Sequence, residues 1–172
     1  GRDFTPFLLD GVTGSGKTEV YFEAVAKALE DGRQALVLLP EIALSPATVR
    51  RVEERFGVPP LLWHSGLGQK ARHENFRAIV EGGPRVVVGA RSALFLPFAD
   101  LGVIIIDEEH DQSYKQGESP RYQGRDVAVY RAFQEKTTVI LGSATPSIES
   151  WQNSKTGKYH LLELPSLSLI HI

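Results

Sequence analysis

The sequence has no cysteine in its 172 residues. That excludes disulfides, a thiol nucleophile and a thiolate metal site. Methionine is absent as well, even at position 1, so the chain reads as a piece of a longer open reading frame. No apolar run reaches the roughly 18 residues that a membrane-spanning helix needs. The start, Gly1-Arg2-Asp3-Phe4, carries no charged-then-apolar signal segment. The five histidines show no paired metal-ligand spacing. Basic charge is not in excess either: 19 Lys and Arg stand against 21 Asp and Glu, for a net charge of -2. A globally basic nucleic-acid coat is thereby excluded, and any nucleic-acid contact has to be a local groove. What is present is ordinary for a globular domain with a core, 42% hydrophobic and 23% charged residues.

Short apolar runs alternate with helical patterns. Phe7-Leu8-Leu9, Ala35 to Leu39, Leu61 to Trp63, Val86 to Val88, Val103 to Ile106, Thr138 to Leu141 and Tyr159 to Leu164 read as strands. Helical spacing marks Thr18 to Glu30, Pro46 to Phe56 behind a Ser45 cap, Gln69 to Val80, Arg125 to Gln134 and a short Ser147 to Gln152. The β-branched runs are apolar on both faces, the habit of strands inside a parallel sheet covered on both sides. The rhythm predicts an open, doubly wound α/β domain with a mostly parallel sheet and helices on both faces. The longest stretch without periodicity, Asp111 to Gly124, is polar and carries two tyrosines; a loop of that length is commonly functional.

The last six residues, Leu167 to Ile172, correspond to the codons CTG TCT CTT ATA CAC ATC, a transposase mosaic-end sequence used in DNA library preparation. The expected division is therefore a domain over 1–165 and a non-native tail over 166–172, for which no fold is expected either way.

Three segments carry chemistry. Gly11-Val12-Thr13-Gly14-Ser15-Gly16-Lys17-Thr18 fits G-x-x-x-x-G-K-[ST] between a strand and a helix. The glycines let backbone N–H groups curl around phosphate oxygens, and the helix N-terminus adds positive potential. Lys17 then reaches the β and γ phosphates, and the Thr18 hydroxyl ligates Mg²⁺. The second segment is Asp107-Glu108-Glu109-His110, at the end of a buried strand. Asp107 there would hold Mg²⁺ and Glu108 would orient or deprotonate an attacking water, with Glu109 and His110 turned to the rest of the machine. The third is Gly142-Ser143-Ala144-Thr145-Pro146, again after a buried strand. The Asn-Lys-x-Asp base-reading signature of GTPases is missing, which favours ATP.

Together these segments resemble the motifs of superfamily 2 helicases of the DEAH type. Leu38-Leu39-Pro40-Glu41-Ile42-Ala43-Leu44, Gly89-Ala90-Arg91-Ser92-Ala93-Leu94-Phe95, and Ser113-Tyr114-Lys115-Gln116 followed by Pro120-Arg121-Tyr122 narrow the resemblance to the bacterial primosomal replication-restart helicases. It covers roughly Phe7 to Pro165 and implies that the domain over 1–165 is a helicase ATP-binding domain, a first RecA-like P-loop NTPase lobe. On that resemblance Lys17, Asp107, Glu108 and His110 form the catalytic set, and Gly11 to Thr18 the phosphate site. Pro40, Glu41, Arg91 and Ser92 line a single-stranded DNA track. Ser143 and Thr145 couple hydrolysis to movement. Tyr114, Lys115, Arg121 and Tyr122 belong to an aromatic-rich loop that senses DNA. Stacking tyrosines interleaved with basic side chains suit that role, although some family members carry a tryptophan where this chain has Ser119-Pro120. The resemblance also implies ATP and Mg²⁺ as cofactors. It implies single-stranded and forked DNA, primosome proteins and single-strand-binding proteins as partners, no membrane, and a cytoplasmic, nucleoid-associated location. The family's second lobe with its arginine finger and its cysteine-bound zinc module lie outside these residues. The isolated lobe is therefore expected to bind Mg-ATP weakly, turn it over poorly and unwind nothing.

Other readings stay open. A small-molecule kinase would share the phosphate loop, and a stand-alone nucleotide-binding module would lack helicase activity. His64, before a turn, reads either as a satisfied structural histidine, the favoured reading, or as a residue facing the DNA side. Arg50, Arg51 and Arg55 read as a solvated helix face, with tracking of phosphates as the alternative.

Overall fold

A computed structural model of the chain describes residues 3–11, 16–107, 124–143, 161–164 and 167–171. Six strands form a parallel array: β1 (Thr5–Gly11), β2 (Gln34–Leu38), β3 (Leu61–Trp63), β4 (Val86–Gly89), β5 (Leu101–Asp107) and β6 (Thr138–Ser143). They lie in the order β3-β4-β2-β5-β6-β1. Helices α1 (Lys17–Glu30), α2 (Pro46–Phe56), α3 (Gln69–Glu81) and α4 (Gly124–Glu135) make the crossovers. The mostly parallel α/β fold expected from the alternating pattern is the fold observed.

The period-2 geometry of the strands sorts the apolar residues into two cores. Leu36, Leu38, Ile104, Ile106, Val139 and Leu141 face one side, where Ile79 of α3 and Ala128 and Ala132 of α4 close over them. Ala35, Val103, Ile105 and Ile140 face the other, against Tyr21, Val25 and Ala28 of α1 and Val52 of α2. Ile104, Ile105 and Ile106 are all fully buried, which explains why that run carries no alternation. Ser45 caps α2 as its spacing predicts: its hydroxyl accepts from the Thr48 N–H at 3.3 Å, and Pro46 occupies the first turn.

At the edge of the sheet away from the motifs, buried Arg33 and Gln34 tie three elements. Arg33 Nε donates to Asp100 Oδ1 at 3.0 Å and its Nη2 to the Leu101 carbonyl at 2.5 Å. The Gln34 amide donates to the Ile79 carbonyl at 2.8 Å and accepts from the Asp100 N–H at 2.9 Å.

Two further strands complete the sheet, β7 (Leu161–Leu164) and β8 (Leu167–His171). The segment set apart as a tail thus joins the sheet: β8 runs antiparallel to β1, from Phe7↔His171 to Gly11↔Leu167, and β7 pairs with β8. The physical reason is the free side of β1, whose unpaired backbone N–H and C=O groups accept a strand. The short helix expected over Ser147 to Gln152 lies outside the described residues.

Candidate functional site

All six parallel strands end at one edge of the sheet, at Gly11, Leu38, Trp63, Gly89, Asp107 and Ser143. The carboxyl edge of such a sheet is where ligands bind in open α/β folds. The strand order divides this edge into two halves. β5, β6 and β1 adjoin one another and carry the three chemical motifs, while β3, β4 and β2 adjoin and carry the remaining ones.

In the first half, Gly11 ends β1 and Lys17 begins α1. Gly16, the N-cap, has φ 99°, a left-handed conformation that glycine adopts without the Cβ clash. Its carbonyl accepts from the Glu19 N–H at 3.1 Å and so starts the helix. Lys17 is buried, 5% exposed, at the positive end of a 14-residue helix. Thr18 follows it and lines a cavity of about 180 Å³ between α1, α2 and the sheet; Asp107, from the end of β5, lines the same cavity. Two residues from motifs far apart in sequence are therefore brought together. Asp107 stands in register with Gly142 on β6, and Asp10 with Ser143. Val12, Thr13, Gly14, Ser15, Glu108, His110 and Thr145 lie outside the described residues, as does the side chain of Ser143.

The hydroxyl of Thr18 and the carboxylate of Asp107 are hard oxygen donors, a set that suits Mg²⁺. Among the described residues no group of three or more His, Cys, Asp or Glu could hold a metal. In nucleotide sites Mg²⁺ is bound by one or two protein oxygens together with phosphate and water.

In the second half, three strand-end segments are stitched together. Leu39 N–H donates to the Gly89 carbonyl at 3.0 Å and Ala90 N–H to the Trp63 carbonyl at 2.9 Å. Pro40 is buried and caps a 3-10 turn, Glu41–Ala43; a second 3-10 turn, Arg91–Phe95, follows β4. Glu41 is exposed, and its Oε1 accepts from the Ser65 hydroxyl at 3.0 Å. Arg91 is half-buried and Ser92 exposed. His64 Nδ1 accepts from the Gly66 N–H at 3.0 Å. Arg50, Arg51 and Arg55 are exposed on α2. Tyr114, Lys115, Arg121 and Tyr122 lie outside the described residues.

Sequence reasoning missed several contributors. Ser65 is joined to Glu41 only by the fold. Ile42 and Phe95, both inside motifs the sequence offers, project from the two 3-10 turns, 85% and 66% exposed, which the fold alone shows. Arg131 of α4 donates from Nη1 to the carbonyls of Leu94 and Leu96 at 2.6 and 2.5 Å, and so holds the second 3-10 turn in place. No motif announced it, because its partners are backbone carbonyls distant in sequence.

The family model for DEAD/DEAH box helicases matches residues 2–154. The chain belongs to the DEAD/DEAH box helicase family. Within it, the chain is similar to replication restart proteins PriA. It is 51% identical to that of Bacillus subtilis over 158 residues, 92% of this chain and 20% of that protein. To that of Haemophilus influenzae it is 49% identical over 161 residues, 94% of this chain and 22% of that protein. The chain thus spans about a fifth to a quarter of the relatives it matches. Among solved structures, RecG bound to a three-way DNA junction superposes with a TM-score of 0.59 at 24% identity, over 85% of this chain and 19% of that one. The C-terminal domain of the DEAD-box protein Dbp5 gives 0.54 at 12% identity, over 91% of this chain and 86% of that one. These two show the fold alone, the RecA-like lobe of DEAD/DEAH box helicases. No helix among the described residues is long and apolar enough to cross a membrane.

Proposed function

We propose that this chain is the ATP-binding lobe of a DNA helicase that couples ATP hydrolysis to translocation on single-stranded DNA at stalled forks, for replication restart. The observation that carries the reading is the cavity that Thr18, at the start of α1, shares with Asp107, at the end of β5. Lys17 neutralises the β and γ phosphates at the helix N-terminus, with the Gly11 to Gly16 backbone cradling them. Thr18 and Asp107 hold Mg²⁺, which supplies charge neutralisation on the phosphates. Glu108 positions the attacking water and His110 turns to the rest of the motor. Pro40, Glu41, Arg91 and Ser92 sit on neighbouring strand ends, a placement that supports a common track for a phosphate backbone. Tyr114, Lys115, Arg121 and Tyr122 stack on and pair with that strand, and Ser143 and Thr145 link it to the nucleotide.

The rest of the helicase supplies a second lobe with its arginine, and a zinc module; primosome and single-strand-binding proteins are its partners at the fork. It works in the bacterial cytoplasm, on the nucleoid. The division into a helicase domain over 1–165 and a non-native segment over 166–172 belongs to the same proposal. Sequencing the natural locus tests it, since codons there identical to the adapter would refute a foreign origin.

Titration of the chain with a fluorescent ATP analogue and Mg²⁺, with Lys17→Ala as control, tests the site. The expected result is saturable binding by the wild type and a loss of about tenfold or more in the variant. Equal binding by both refutes it. Hydrolysis by the isolated chain stays slow with or without single-stranded DNA, because a transition-state arginine contributes about 10³-fold or more in related systems. DNA-stimulated turnover at a rate normal for helicases refutes the half-motor reading. Binding without any DNA response in the full-length protein would instead point to a stand-alone nucleotide-binding module.

A further inference from the structure

Tyr21 lies one helical turn beyond Lys17 on α1 and is 6% exposed. Its ring rests on Gly142 of β6. A Cβ added at Gly142 would overlap the Tyr21 hydroxyl oxygen and lie 2.8 Å from its Cζ. The φ of Gly142 is outside the left-handed region, so its backbone does not call for glycine. The requirement there is for space.

The position of that contact is what matters. In the sheet Gly142 stands in register with Leu9 on one side and Asp107 on the other. Leu9 leads into the phosphate loop, Asp107 ends β5, and Ser143 follows Gly142. The ring therefore sits over the point where the three motif strands converge. It also lines the same cavity as Thr18 and Asp107. Pushing the Tyr21 ring outward presses on the first turns of α1, because a buried, close-packed ring transmits strain to the helix that carries it.

We infer that Tyr21 is a positioning residue. Through its contact with Gly142 it sets the height of the α1 N-terminus above the sheet, and with it the reach of the Thr18 hydroxyl towards a cation shared with Asp107. The inference rests on the nucleotide-site reading above and deepens it.

The test is a mutant cycle on the chain: wild type, Gly142→Ala, Tyr21→Leu and the double variant. Each is titrated with the fluorescent ATP analogue in Mg²⁺ and again in EDTA, and each is melted. The readout is the gain in affinity that Mg²⁺ confers, which a purely structural defect leaves unchanged. The expected result is that Gly142→Ala cuts this gain by about tenfold or more, since displacements near 1 Å at such sites cost up to about 10². Adding Tyr21→Leu removes the overlap and returns the gain to within about twofold of Tyr21→Leu alone. It also raises the melting temperature relative to Gly142→Ala. An undiminished Mg²⁺ gain in Gly142→Ala overturns the inference, and so does a loss that Tyr21→Leu does not relieve. If Gly142→Ala fails to fold, a folded double variant with its gain restored supports the contact, and an unfolded one overturns it. Failure of the nucleotide-site reading looks different, because then the wild type itself shows no binding.

Discussion

Replacing Arg131 by alanine tests whether α4 holds the second 3-10 turn in place. The guanidinium donates to the Leu94 and Leu96 carbonyls at 2.6 and 2.5 Å, pairs with Glu135 at 3.2 Å and lies 5.1 Å from the centroid of the Phe98 ring. Hydrogen bonds from a charged group contribute about 1.5–3 kcal/mol. The ion pair is an i,i+4 pair with side chains 16% and 29% exposed, worth only about 0.3–0.5 kcal/mol. The cation–π contact adds about 0.5–1 kcal/mol. Because one group makes all these contacts, they overlap, and the expected loss for Arg131→Ala is about 3 kcal/mol. At about 2–4 °C per kcal/mol for a domain of this size, the melting temperature falls by roughly 6–12 °C. Urea titration of wild type, Arg131→Ala and Arg131→Lys measures it. Lysine keeps the charge but cannot reach two carbonyls as a planar fork does, so it should fall between the other two. On the proposed DNA track, affinity for single-stranded DNA, measured by fluorescence anisotropy, should drop in the same order, since Arg91 and Ser92 ride on the turn that Arg131 anchors. A loss below about 1 kcal/mol would show that the carbonyls are equally well served by water, and the anchoring argument would fail.

Gln34→Leu should cost about 3 kcal/mol, because it takes the side-chain amide away from the Ile79 carbonyl and the Asp100 N–H in a fully buried setting; a near-neutral result in chemical denaturation contradicts that. Gly89→Ala places a Cβ 2.7 Å from the Trp63 carbonyl oxygen, which is backbone and cannot swing aside, so a loss of about 1–3 kcal/mol is expected; a melt like wild type would show that β3 shifts freely. Ser45→Ala removes the cap of α2 and should cost about 0.5–1 kcal/mol, the low end because the bond is 3.3 Å long; an unchanged urea midpoint would mean that water replaces it.

The helix starts and strand runs were legible because they depend on local chemistry. Ser45-Pro46 predicts the first turn of α2 from the hydroxyl and the fixed proline φ alone. Phosphate-loop spacing predicts Lys17 at the head of a helix, and the structure buries it there. β8 was not legible as part of the sheet: pairing of Leu167–His171 with β1 depends on β1 having a free edge, which is a property of strand order. Glu41 was read from its motif, but its hydrogen bond to Ser65 follows from β2 and β3 both flanking β4.

By itself, then, the sequence determined which residue types stand at this edge: a glycine-rich G-x-x-x-x-G-K-T spacing, a hydroxyl, a carboxylate, and the buried strands that deliver them. Those properties reside in residue type and short spacing. The tertiary structure decided the company they keep. It brought Thr18 and Asp107 to one cavity, laid Tyr21 on Gly142, tied Arg131 to the turn after β4, and grouped the strand ends into two halves. The physical reason is that strand order and register come from the packing of two whole cores against the helices, a sum over many distant contacts that no local run of residues contains.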